Sequence, residues 1–166
     1  MDMDIAYWQQ EDKKLLDRVM SSMGFGPSSL AKRLREMAGD RWETGSCLRA
    51  IQRAKRGETN MSPTLRMVLL GLDRDWRRAE QAAEKVEWEK RTGGILHTVA
   101  HGFGISLIPQ TKNRWKVQIE HLESGYSPSW IEWLDNLETA KIRAFVQLDD
   151  TLLDLSWPGN PNIKSE

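Results

Sequence analysis

The sequence predicts an α+β protein, an N-terminal all-α region followed by a small antiparallel sheet with one packed helix. Three features of the residue pattern predict it. Apolar residues recur at spacings of three and four through the first half, strict two-residue alternation starts only after Gly93-Gly94, and helical spacing returns once near the C-terminal end. The expected organisation is a helical domain over 1–91, a β-β-β-α domain over 95–156 and an irregular tail over 157–166.

The first helix is read from Trp8 to Met23, where Leu15, Leu16, Val19, Met20 and Met23 make one face and Gly24 and Gly26 end it. Pro27, Ser28 and Ser29 form a start signal for a second helix, with Leu30, Leu34 and Met37 inward and a stop near Gly39. A polar turn, Asp40 to Gly45, leads to a third helix. That helix runs from Ser46 as N-cap to Arg56, buries Leu48 and Ile51 with Cys47 and Ala54 alongside, and is stopped by Gly57. Ser62-Pro63 opens a fourth, expected to reach about Arg91. Along it Leu65, Leu69, Leu72, Trp76, Ala79, Ala83 and Val86 step by four and three, which suits either a core helix or, over Trp76 to Val86, a dimer seam. Gly71 marks a place where the helix could break.

Beyond Gly93-Gly94, Ile95 to Ile108 reads as one strand punctuated by Gly102 and Gly104. A second strand is expected where Trp115, Val117 and Ile119 alternate with Lys116, Gln118 and Glu120. Trp130 and Trp133 fall in a third extended segment. Asp135 and Glu138 are spaced as a capping box before a helix over Leu137 to Leu148 or further, whose buried face is drawn from Ala140, Ile142, Phe145, Val146 and Leu148.

With 39% hydrophobic and 29% charged residues, the chain has the composition of a folded globular protein. A single cysteine, Cys47, excludes an intramolecular disulfide and every multi-cysteine zinc or redox motif, and it is read as a small buried apolar group. Met1-Asp2-Met3-Asp4 is acidic where a secretory signal needs positive charge, and the longest strongly apolar run, about Met67 to Leu70, is far too short to span a bilayer. A cytoplasmic protein with no membrane partner is therefore expected. Net charge is zero, yet it is unevenly placed. From Ser28 to Arg66 there are nine basic residues (Lys32, Arg33, Arg35, Arg41, Arg49, Arg53, Lys55, Arg56, Arg66) and four acidic ones (Glu36, Asp40, Glu43, Glu58), so the segment carries 9 − 4 = +5 and the rest of the chain −5.

The third helix is the informative element. With Leu48 and Ile51 inward, Arg49, Gln52, Arg53 and Arg56 form an i, i+3, i+4, i+7 stripe that holds no acid. Arginine can bond guanine O6 and N7, and glutamine adenine N6 and N7, so these are side chains that a major-groove helix uses. The order Ser28, Leu30-Ala31, Leu34, then Ile51, Arg53, Gly57, then Pro63, Leu65, Leu69 resembles the five-helix helix-turn-helix domain of Cro and phage-repressor-like regulators, over about residues 8–72. The interval from Leu34 to Gly57 is longer than that family's usual one, which implies an extended second helix and a longer turn. The resemblance implies double-stranded DNA as partner, with Ser46, Arg49, Gln52 and Arg53 at bases. Ser28, Ser29, Lys32, Arg41 and Arg56 would lie at phosphates. It also implies a homodimeric repressor or autoregulator of phage or mobile-element type, and no enzyme or cofactor.

Of the eight tryptophans, Trp115, Trp130 and Trp133 cluster in the sheet region and are read as core or as an interface for a dimer or a protein partner. The alternative function is accordingly a protein-interaction module, an inhibitor or adaptor, with DNA binding secondary. Trp115, Lys116, Val117 and Gln118 followed by Leu137-Glu138-x-Ala140-Lys141 resemble the three-stranded DNA-binding domain of some phage integrases, but the acidity of this half favours dimerisation or partner binding. His97 and His101 would share a face of one strand about 13 Å apart, too far for one metal ion, and no Glu stands between them as a zinc-protease motif needs. Gly24-x-Gly26 and Gly102-x-Gly104 lack the rest of a nucleotide fingerprint and are read as turns.

Overall fold

A computed structural model gives the structure of residues 2–38, 43–128, 133–134 and 136–156. These residues form helices α1 (Asp2–Met23), α2 (Pro27–Ala38), α3 (Thr44–Lys55), α4 (Pro63–Lys85) and α5 (Leu137–Ser156). The strands are β1 (Glu89–Lys90), β2 (Leu96–Ala100), β3 (Phe103–Pro109), β4 (Trp115–His121) and β5 (Trp133–Leu134). The α+β class expected from the residue pattern is the class observed. Two compact units make up the chain, Met1–Asp75 and Trp76–Glu166.

In the first unit α1 and α2 both pack on α3, and Leu16, Leu30, Leu34, Ile51 and Leu69 are fully buried. Local signals set the helix ends. Gly24 takes φ +66°, while Phe25 N–H reaches back to Met20 O (2.8 Å) and Gly24 N–H to Ser21 O (3.3 Å), the six-to-one and five-to-two pair that closes a helix on glycine. Gly57 (φ +71°) ends α3 in the same way, with Glu58 N–H on Arg53 O and Gly57 N–H on Ala54 O, both 3.0 Å. Ser62 caps α4 through Leu65 N–H (3.2 Å). Met37, expected inward, is instead half exposed, near the end of α2 beyond the buried Leu30 and Leu34.

The second unit is an antiparallel meander, β1-β2-β3-β4-β5, with α5 on its inner face. Phe103, Ile105 and Leu107 of β3, Val117 and Ile119 of β4, and Ala140, Ala144, Phe145 and Leu148 of α5 make the core, joined by Ala79 and Ala83. Three expectations are corrected here. Ile95–Ile108 is not one strand but a hairpin, since Ala100 pairs with Phe103 and the intervening His101 and Gly102 both take positive φ (51° and 78°), the conformation of a two-residue type I′ turn. The fourth helix stops at Lys85 rather than Arg91, and Glu89–Lys90 pairs with β2 across a Gly93-Gly94 turn (φ 77° and 76°). That glycine pair is therefore a turn inside the sheet unit, and the units divide instead at Asp75/Trp76, because Ala79 and Ala83 belong to the sheet core. The capping side chain of α5 is Asn136, whose Oδ1 accepts from Glu138 N–H (2.8 Å) and Thr139 N–H (3.3 Å); Asp135 lies outside the described residues.

Candidate nucleic-acid interface

Helix α3 is amphipathic in the way the sequence suggests. Ile51 and Ala54 are fully buried and Cys47 nearly so, Leu48 is half-buried, and Ser46, Arg49, Gln52, Arg53 and Arg56 are exposed. Burial of Ile51 between α1 and α2 fixes the helix's rotation, so the four long polar side chains must point outward. Burial also raises the Cys47 thiol above its usual range, which keeps it protonated and unreactive.

The start of α3 differs from expectation. Glu43 is the N-cap and the helix begins at Thr44, so Ser46 sits in the first turn rather than at the cap. Its hydroxyl donates to Glu43 Oε2 (3.1 Å) and accepts from Arg49 Nη2 (3.2 Å), a chain of acid, hydroxyl and guanidinium along the head of the helix. The stripe is flanked by acid at its other end too. Glu58 lies 2.8 Å from Arg56 Nε and 4.0 Å from Arg53 Nε. Neither glutamate was assigned a role from sequence, because both fall outside the helical stripe; a helix closed on Gly57 turns Glu58 back toward Arg53 and Arg56, and that signal was legible in the glycine.

Arg66 does not belong to the exposed basic surface. Its Nε and Nη2 bond the two carboxylate oxygens of buried Asp12 (2.6 and 2.8 Å), and its guanidinium lies 4.9 Å from the centre of the Trp8 ring. The hydrogen bonds to Asp12 raise the Arg66 pKa further above its already high ordinary value. Arg33 lies 3.8 Å from Glu36.

No family model, curated protein or solved structure matches the chain.

The remaining site expectations fall as follows. Ser28 and Ser29, in the first turn of α2, and Lys32, one turn on, are exposed; Arg41 lies outside the described residues. Trp76 is buried, and Ala79, Ala83 and Val86 pack in or against the core of the second unit, so the four-three seam is consumed within the chain and is not an exposed dimer face. Trp115, expected in the core or at an interface, is partly buried against the same core; Trp130 and the Trp133 side chain lie outside what is described. His101 sits in the β2–β3 turn while His97 is on β2, so the two do not share a strand face, and no group of three metal-ligating side chains occurs among the described residues. Among those residues no helix is long and apolar enough to cross a membrane.

Proposed function

We propose that the chain is a sequence-specific DNA-binding regulator, a repressor or autoregulator, that lays α3 in the major groove. One observation supports this reading above the others: Arg49, Gln52 and Arg53 stand exposed on one face of a helix whose opposite face is locked in the core. A helix fixed in rotation presents the same donors to every duplex it meets, which is what base readout requires.

Arg49, Gln52 and Arg53 read base edges, with Ser46 holding the Arg49 guanidinium at the head of the helix. Glu43, at that same end, can accept from a cytosine amino group. The first turn of α2, with Ser28, Ser29 and Lys32, meets a phosphate through backbone N–H groups, hydroxyls and the ammonium. Arg56 lies beside the DNA backbone at the far end of the helix, held by Glu58. Two copies bind a pseudopalindromic site with their recognition helices about 34 Å apart, one helical turn of DNA.

The test is selection of a randomised duplex pool by the purified chain at low and moderate salt, with sequencing of what is retained. A common motif in two half-sites is the expected result. Replacement of Arg49 and Arg53 by alanine should abolish the enrichment while leaving the fold intact, since neither side chain is buried. Retention of every sequence alike by parent and variant would refute base readout.

A further inference from the structure

The solvent face of the sheet carries a hollow of about 380 Å³, within the size range of small-molecule sites. Its floor includes Gly104, the second residue of β3 and buried. A Cβ there would stand 3.1 Å from His97 Cε1 and 3.2 Å from Leu122 Cδ2, so the absent side chain is what lets the imidazole edge and the leucine lean over the strand. The walls include Ile108 and Leu122.

Polar groups converge on this floor. Register places His97 of β2 opposite Ser106 of β3, and Ser106 opposite Gln118 of β4, so the three side chains form one rung across the sheet. His97 Nδ1 and Ser106 Oγ are 3.0 Å apart. Burial first, and the charge of Arg91 second, lower the His97 pKa, with Glu89 opposing, so the ring is neutral at neutral pH. With the proton on Nε2, Nδ1 accepts from Ser106 and the Nε2–H edge lies above Gly104. The pair is not arranged for nucleophilic catalysis. Glu89, opposite His97 on β1, is bonded to Arg91 (3.3 Å) and so does not orient the imidazole as a third group would.

The charges around the hollow disfavour anions: Arg91 is engaged by Glu89, and Glu120, opposite Gly104 on β4, repels phosphates and carboxylates. The rung of neutral donors and acceptors, His97, Ser106 and Gln118, lies between the aliphatic side chains of Ile108 and Leu122, which suits an uncharged polar ring. We propose that this hollow binds a nucleoside, its base lying over Gly104 with one edge on His97, Ser106 and Gln118.

The experiment is amide chemical-shift titration of the whole chain with adenosine, guanosine, cytidine and uridine separately, and with their 5′-monophosphates. At least one nucleoside should shift His97, Gly104 and Ser106 saturably, with its monophosphate weaker because of Glu120. Gln118→Ala, at an exposed position that folding does not use, should weaken binding about tenfold, the effect of one lost hydrogen bond. Gly104→Val should close the hollow. The Arg49→Ala, Arg53→Ala protein should bind the nucleoside unchanged, which separates this site from the DNA-binding reading. No saturation by any nucleoside at millimolar concentration, shifts confined to other residues, or unaltered binding by both Gln118→Ala and Gly104→Val would overturn the proposal.

Discussion

Asp12 shows how much one residue can hold. Its carboxylate is buried at 1% exposure, and its oxygens accept from Met61 N–H (2.8 Å) as well as from Arg66, tying α1 to the start of α4 and the loop before it. Removing it leaves a half-buried guanidinium and a backbone donor without their acceptor, so Asp12→Ala should destabilise the first unit by about 3 kcal/mol, read by chemical denaturation. Arg66→Met, which removes the guanidinium from both Asp12 and the Trp8 ring, should cost less only when combined with Asp12→Leu, because the pair is then removed together. Sequence gave no sign of this pairing: Arg66 counted there as one of nine cations, since a charge balance cannot tell an exposed arginine from one folded onto a buried acid. Cys47, by contrast, was readable from its helical position. At His97 the sign of the pH effect follows from its lowered pKa. The folded state binds the proton less readily than the unfolded chain, so stability should be constant above about pH 6.5, fall as pH drops below that value, and level off beneath the folded pKa. His97→Gln should remove that decline from a plot of Tm against pH.

At the scale of elements, helices were the more legible because their caps are local. Gly24, Gly57, Pro27 and Ser62 lie in the sequence next to the ends that they make, and three of the first four helices begin or end at such a residue within one position. Strand boundaries were less so. His101 has no glycine-like freedom of its own, and only pairing between Ala100 and Phe103 forces it to positive φ, so a continuous apolar run concealed a hairpin. β1 was hidden for a different reason, as Glu89-Lys90 is polar and its partner strand supplies the order. Gly71 gives the element-scale prediction. It lies inside an unbroken α4 with open space where a Cβ would stand, so Gly71→Ala should stabilise the protein by about 1 kcal/mol, seen as a raised Tm with unchanged far-ultraviolet circular dichroism. A loss of stability would mean that the helix needs the glycine's flexibility.

The whole molecule has no net charge, so attraction to DNA must come from the basic segment alone. That segment has fewer available cations than its count suggests, because Arg66 is held by Asp12, Arg56 by Glu58, and Arg33 lies beside Glu36. About four phosphate contacts per chain is then a fair expectation, and counterion release predicts a slope of log affinity against log salt near −4 for one chain and near −7 for two. Stoichiometry on the selected duplex, from analytical ultracentrifugation, decides between those values. Because the Trp76–Val86 face is spent inside the chain, Val86→Ala should lower Tm without altering that stoichiometry. Glu58→Gln tests the charge arithmetic directly. Releasing Arg56 adds about one phosphate contact, which should steepen the slope by about 0.9 per chain and raise affinity for every sequence alike, leaving the selected motif unchanged. If instead Glu58→Gln altered the motif, Arg53 or Arg56 would be reading a base under the glutamate's control, and the division of α3 into base-reading and backbone-holding residues would move one turn toward Gly57.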